Sequence, residues 1–430
     1  MRNMWQGAST NWLNVSKDGA TINEGDDVSM KVKKLLASLT ISCLIIGLLS
    51  ACNSSGTGGG ASSGSGGGDL TVIKIASQSP LSGGSAIQGE SIKLGGQMAL
   101  EERQAEFKEL GFDLQFVPYD DQGDQKKGVA NSELIGADQA VLAVLGHLNS
   151  GVSIPSSVVY EKYNIPMVSP ASTATDFTDR KLKIANRIVA RDDFQGPAGA
   201  EYAVNTVGAS NIFVIQDKTA YGQGLAEAFR SAAEELGATI SGYEGITIGE
   251  KDFNGVLNQV LSKKPDFIFF GGMYAEAGLI VKQAREKGIK VPIMGGDALD
   301  SSGMIDIAGD KVLDVAYSSV STDITKSNQA WADKYKEKFG KTVENYSAYG
   351  YDSMNIILDG VKKAIEEGEG KLPSREMVRD TIRATSDFDG IATKVSFDDK
   401  GDNEFAKVFI YKFQTATYPG TLVSEIEQPK

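Results

Sequence analysis

From Asp69 onward, short runs rich in β-branched and aromatic residues alternate with runs whose apolar residues recur every third and fourth position. The β-rich runs are Thr71 to Ala76, Asp113 to Pro118, Ala140 to Leu145, Asn211 to Gln216, Pro265 to Phe270 and Val291 to Met294. Between them lie Ile92 to Leu110, Gly128 to Leu134, Gly222 to Leu236, Phe253 to Leu261 and Ala275 to Lys287, all with helical spacing. Strand, helix, strand repeated in this way predicts an α/β fold, a parallel sheet covered by helices on both faces. Ligands of such sheets sit at the carboxyl ends of the strands, and the loops there are rich in Ser, Thr, Gly, Asp and Tyr. The alternation continues past the capacity of one sheet, which predicts two lobes. Breaks within residues 185 to 200, near Tyr317 to Asp323 and near Val395 to Gly401 give three places for the chain to cross between them. Lobe 1 is then residues 69–189 plus 322–397, and lobe 2 is residues 190–321 plus 398–430. No internal sequence repeat is detectable, so any likeness between the lobes is one of topology.

Composition narrows the function. The chain is 41% hydrophobic and 23% charged, enough apolar surface for real cores. Its 43 Lys and Arg against 56 Asp and Glu give a net charge of -13, which would repel a phosphate backbone, so nucleic acid is not an expected partner. One histidine, His147, and two cysteines, Cys43 and Cys52, are too few for a metal cluster, a thiol redox pair or a disulfide framework. No cofactor or metal is expected, and no catalytic triad based on histidine can be assembled beyond that one residue. His147 follows the apolar run Val141 to Leu145 and reads as a hydrogen-bonded histidine at a strand end. The acidic stretch Asp120-Asp121-Gln122-Gly123-Asp124 lacks the spacing and terminal Glu of a calcium loop and reads as a strand-to-helix turn.

The N-terminal region carries an address. Lys31, Lys33 and Lys34 precede the apolar run Leu35 to Leu49, and Leu49-Ser50-Ala51-Cys52 follows, the order of a secretory signal with a small-residue cleavage site. The run is shorter than the ~20 apolar residues that span a bilayer and is interrupted by Ser38, Thr40 and Ser42. Residues 30–51 are expected to be the signal peptide, Met30 the start, and residues 1–29 a gene-model extension. The Leu-Ser-Ala-Cys ending resembles a bacterial lipobox, which implies lipid on Cys52 and attachment to a membrane surface. Residues 52–68 hold eight Gly and five Ser in 17 positions, a flexible tether with a reach on the order of 20 to 25 Å. The expected location is therefore extracytoplasmic and membrane-anchored.

The folded part carries a series of signature stretches. They are Pro80-Leu81-Ser82-Gly83, Tyr119-Asp120-Asp121, Gly146-His147-Leu148-Asn149-Ser150, Pro166 to Thr173, Arg191 to Pro197, Asp217 to Gly222, Gly249 to Phe253 and Phe269-Phe270-Gly271-Gly272. In that order and spacing, residues 71 to about 415 resemble the branched-chain amino-acid binding proteins of ABC transporters, which have the type I periplasmic binding fold. The resemblance implies two Rossmann-like lobes joined by a three-crossover hinge. It also implies a monomer that is not an enzyme, with an amino acid held in the interlobe cleft and ABC permease subunits as partners.

The ligand residues follow residue by residue. Ser150 comes after a strand and opens a helix, so its hydroxyl and the first amides can cradle a carboxylate, although a serine there can also simply cap the helix. In the family this serine contacts the ligand carboxylate. The resemblance likewise implies ammonium contact from the Ala171 carbonyl, ligand contact from Thr173, an ammonium partner in Asp297, and Tyr221 closing over the ligand. Asp192, beside a crossover, reads as a hinge or interlobe residue. Gln88, Leu148 and Met273 shape the side-chain pocket. Gln88 and Met273 stand where well-known branched-chain binders have tyrosines, which leaves the preferred side chain open. Some relatives join two cysteines as a disulfide, and the corresponding positions here are Gly123 and Asn149. An amide or aromatic carboxylate is the alternative ligand class and a sensory ligand-binding protein the alternative role. A hydrolase lacks a nucleophile and base.

Overall fold

The structure is a computed structural model that describes residues 70–427. The upstream extension, the signal peptide, Cys52 and the Gly/Ser tether lie outside the described residues.

Five parallel strands form the first sheet: β1 Thr71–Ser79, β2 Phe112–Asp120, β3 Val141–Gly146, β4 Met167–Ser169 and β5 Ala185–Arg187, in the order β2-β1-β3-β4-β5. Strand β3 reads VLAVLG and is buried along its length, as a strand must be when helices cover both sheet faces. Its residues alternate between two cores. From Ala143 onward, Ala143 and Leu145 join Ile73, Ile75 and the buried face of the helix Ser347–Glu367, whereas Val144 joins Ala76, Ile135 and Tyr160; a bulge between Val141 and Ala143 puts Val141 on the side of Val144. That period of two is the pleat expressed as packing.

The second sheet has β6 Asn211–Gln216, β7 Thr239–Gly245, β8 Phe267–Gly271, β9 Ile293–Gly295 and β10 Ala316–Ser319 as its parallel part. After a two-stranded ribbon, β11 Phe388–Asp389 and β12 Lys394–Val395, the chain adds β13 Lys407–Lys412 and β14 Thr421–Glu427, giving the order β14-β13-β10-β9-β8-β6-β7. Here the sheet departs from the parallel expectation, because β13 runs antiparallel to β10 and β14 antiparallel to β13. The eight or so residues between β13 and β14 are too few for a parallel crossover. Periodicity also failed to signal β7, an edge strand that is only half-buried and carries Gly242 and Gly245. Apolar side chains again divide by parity, with Ile212, Val214, Phe267 and Phe269 in one core and Phe213, Ile215, Ile268 and Phe270 in the other.

The strands before residue 188 thus belong to one sheet and those from 211 to 319 to the other. The chain then returns to pack the helices Gln329–Phe339 and Ser347–Glu367 against the long helix Ala86–Glu109, before β13 and β14 rejoin the second sheet. Asp352 secures the returning segment by accepting the backbone N–H groups of Ile391, Ala392 and Thr393 at 3.0, 2.8 and 3.3 Å.

Between the first and third crossings lies a buried ionic cluster. Arg187, wholly buried at the end of β5, donates to Asp402 at 2.6 Å and to the carbonyls of Ser172 and Ala174, both at 2.9 Å. Arg191 donates to the other oxygen of Asp402 at 2.8 Å and also pairs with Asp179 and Asp193. Burial pushes the Asp402 carboxyl up, but the guanidinium groups and the Thr178 hydroxyl outweigh it and hold the group below its usual range. Replacing Asp402 with Asn leaves Arg187 buried without its counter-charge and is expected to lower stability by about 3–5 kcal/mol. Asp193→Asn, which removes a mostly exposed partner of Arg191, should cost less than about 1 kcal/mol. Urea unfolding of the two variants checks the contrast.

Candidate functional site

Loops leaving the carboxyl ends of β3, β4, β8 and β9 meet around one cavity. Its wall is Gln88, Leu148, Asn149, Ser150, Ala171, Tyr221, Met273, Asp297, Ala298 and Tyr346. Both sheets therefore contribute, as the rule for open α/β sheets requires. Sequence reasoning named Gln88, Leu148, Ser150, Ala171, Tyr221, Met273 and Asp297, and the structure brings all of them to this wall. It missed Asn149, Ala298 and Tyr346. Thr173 and Asp192 are buried but are not part of the wall.

Ser150 is the first residue of the helix Ser150–Lys162, and Asn149 occupies the capping position, so Ser150 is not serving as the cap. Its Oγ accepts the N–H of Ala174 at 3.2 Å and keeps its own proton to donate. The N–H groups of Ser150 and Gly151 have no carbonyl partner ahead of them, whereas Val152 already donates to the Asn149 carbonyl at 2.9 Å, and free donors at a helix start favour an anion there. The loop opposite is fixed by serine hydroxyls: Ser169 Oγ accepts from the N–H of Ser172 at 2.9 Å, and Ser172 Oγ donates to the carbonyls of His147 and Leu148, both at 3.2 Å. Ala171 is held within that loop.

Across the cavity, Asp297 starts the turn after β9 and is almost fully buried. Tyr221 donates to Oδ1 at 2.8 Å and Tyr346 donates to Oδ2. The Tyr221 hydroxyl also accepts the N–H of Ala298 at 3.2 Å, and Gln195 Oε1 accepts the N–H of Asp297 at 2.9 Å. Gly296 makes this clustering possible, since a Cβ there would stand 2.5 Å from the Tyr221 hydroxyl. Burial pushes the Asp297 carboxyl up despite the hydrogen bonds from Tyr346 and Tyr221. Asp192, the first residue of the helix Asp192–Glu201, has both carboxylate oxygens without partners, and Thr173 beside it has an unpartnered hydroxyl. Burial and the nearby Asp297 push the Asp192 carboxyl far up. The Asp192 N–H donates to the Thr173 carbonyl at 2.9 Å, joining the two lobes' loops.

Other expectations also have a place. His147 is fully buried within hydrogen-bond reach of Asp121, Tyr160 and Gln78, at 3.2, 3.2 and 3.1 Å. The Asp120 to Asp124 stretch turns β2 into the helix Gln125–Ala137, and Asp124 caps that helix. A Cβ on Gly123 would lie 3.3 Å from Asn149 Oδ1, so these two positions are neighbours in space. Among the described residues no group of three or more His, Cys, Asp and Glu is placed to hold a metal, and no helix is long and apolar enough to cross a membrane.

Two lobes, a three-crossing hinge and a wall drawn from both sheets agree with one sequence family, periplasmic binding proteins, which matches residues 72–416. The chain belongs to the periplasmic binding protein family. This binding protein is 31% identical over 337 residues to Leu/Ile/Val-binding protein homolog 1 of Brucella abortus, covering 78% of this chain and 88% of that one. It is 29% identical over 345 residues to the leucine-, isoleucine-, valine-, threonine- and alanine-binding protein of Pseudomonas aeruginosa, covering 80% and 90%. Its structure resembles that of a leucine binding protein from Thermotoga maritima with a TM-score of 0.75 and 28% identity, over 82% of this chain and 98% of that one.

Next to the binding protein's cavity lies a second set of buried carboxyls. Asp300 accepts from Ser319 at 2.6 Å, and Glu344 accepts the N–H of Ser302 at 3.2 Å. Burial pushes each up to about 7, from 3.8 and 4.5. The folded protein thus holds protons that the unfolded chain releases near pH 4. The stabilisation is full below that range and is lost as pH rises through about 7. Carboxyls held down to about 2, such as Glu106 and Asp179, act only at lower pH. The unfolding midpoint is therefore expected to fall between pH 5 and pH 8, and Asp300→Asn should flatten that fall. Thermal unfolding across this interval checks both.

Proposed function

We propose that this binding protein is the solute receptor of an ABC importer, closing its lobes on a neutral amino acid, branched-chain in the first instance, and handing it unchanged to permease subunits. The observation that carries the reading is that Ser150, from one lobe, and Asp297, from the other, line the same pocket. Hydroxyl and helix-terminal N–H groups suit a carboxylate, whereas a buried carboxylate needs a cation. A zwitterion supplies both charges. Asp192 adds a second negative group near Asp297, and a single ammonium would relieve their mutual repulsion. The Ala171 carbonyl and Thr173 serve the same ammonium. The similar proteins of Brucella abortus, Pseudomonas aeruginosa and Thermotoga maritima are named for binding leucine and related amino acids, which supports the same class here.

In this reading residues 69–189 plus 322–397 and residues 190–321 plus 398–430 move as two bodies about the crossings, and ligand favours the closed arrangement. Asp192, at the first crossing, couples the lobes. The receptor acts as a monomer, held at the outer face of a membrane by lipid on Cys52.

Calorimetry with an amino acid and its deaminated analogue is the direct test. The analogue should bind at least ~100-fold more weakly, and Asp297→Asn should cost the amino acid a few kcal/mol, roughly 3. Equal binding of the analogue would replace the amino-acid reading with the aromatic or simple carboxylate one. For the anchor, Cys52→Ser should move the protein from the membrane fraction to the soluble one. Retention after a high-salt wash, with the signal segment still attached, would point to a spanning anchor instead.

A further inference from the structure

The side chain of Gln88 is fully buried in the cavity wall, on the first turn of the helix Ala86–Glu109. Its amide nitrogen donates to the carbonyl oxygens of Ala298 at 3.4 Å and Asp300 at 3.3 Å, in the turn that carries Asp297. Both partners can only accept, so the amide cannot be turned the other way round. Oε1 is therefore fixed as an acceptor facing away from those carbonyls, and it is buried with no hydrogen-bond partner. The apolar part of the wall comes from Leu148, Met273 and Ala298. A purely aliphatic ligand side chain fits those three residues and leaves Oε1 unpaired.

We propose that Gln88 Oε1 determines specificity by accepting a hydrogen bond from the ligand's side chain, so that the preferred ligand is a small amino acid bearing a hydroxyl rather than its aliphatic isostere. A hydroxyl is the smallest side-chain group that supplies the donor Oε1 lacks. This rests on the amino-acid reading above and adds the side-chain class. An apolar pocket discriminates weakly against a hydroxyl, whereas a pocket with a buried acceptor penalises the analogue that cannot donate to it.

Threonine and valine differ by one hydroxyl in place of a methyl and are the matched probes. Calorimetry on the wild-type protein should show threonine binding ~10-fold or more tightly than valine. Gln88→Met keeps the length of the side chain and removes the acceptor, and it should abolish or reverse that ratio. Gln88→Glu in its protonated form donates its hydroxyl to the same two carbonyls and keeps an acceptor, so it should retain the preference for threonine at low pH. Thermal unfolding without ligand establishes that each variant is folded, and the wild-type ratio stands independently of both. Valine binding as tightly as threonine in the wild type would overturn the assignment of Gln88 while leaving the amino-acid reading intact. If neither these nor leucine and isoleucine bind, the amino-acid reading falls and this inference with it.

Discussion

A guanidinium taken wholly out of water must have its donors satisfied and its charge balanced within the protein. Arg187 meets that demand with Asp402 on the third crossing and with the carbonyls of Ser172 and Ala174. The same contacts that neutralise it fix the loop carrying Ala171 and Thr173 to a distant segment of chain. Arg191 shares Asp402 and leads directly into Asp192. The geometry of this side of the cavity thus depends on a charge pair that is not part of the cavity wall.

The cavity is a consequence of two sheets presenting the carboxyl ends of their strands to each other. Its two poles are chemically unlike. The Ser150 pole is neutral and rests on a helix terminus. The Asp297 pole is a carboxylate held between two tyrosines from different parts of the chain, Tyr221 and Tyr346. Because Tyr346 lies just before the helix Ser347–Glu367, which packs on the first lobe's long helix, its bond to Asp297 spans the cleft. Gln88 does the same from the opposite helix through the carbonyls of Ala298 and Asp300. These bonds cross from one lobe to the other and tie the shape of the pocket to how the lobes meet.

Much of the core architecture was legible in the sequence. The strand at Asn211 to Gln216 was located to the residue, and the other predicted strands and helices fell within three residues of their observed ends, except that the first helix starts six residues before Ile92, at Ala86. Strands buried on both faces give continuous apolar runs, and helices between them give a clear three-four spacing. What escaped was mostly short, half-buried or antiparallel, the long buried helix Ser347–Glu367 being the exception. Strand β7 is an edge, β14 is largely exposed, and neither carries the apolar signal that burial imposes. Residues of the pocket wall were legible where they follow a strand in a recognisable motif, as Ser150, Ala171, Tyr221 and Asp297 do.

The sequence by itself determined the α/β alternation, the doubling into two lobes and the family motifs at strand ends, because each is a local pattern of burial and turn chemistry. Only the tertiary structure decided which distant residues complete the site. Nothing near Tyr346 marks it as a partner of Asp297, 49 residues away, and nothing near Arg187 points to Asp402, 215 residues away. Nor could the sequence show which atom of Gln88 is left free, since that depends on two backbone carbonyls supplied by the other lobe. Hydrogen-bond satisfaction in a buried cavity is a property of atoms brought together from separate segments, and a one-dimensional pattern does not contain it.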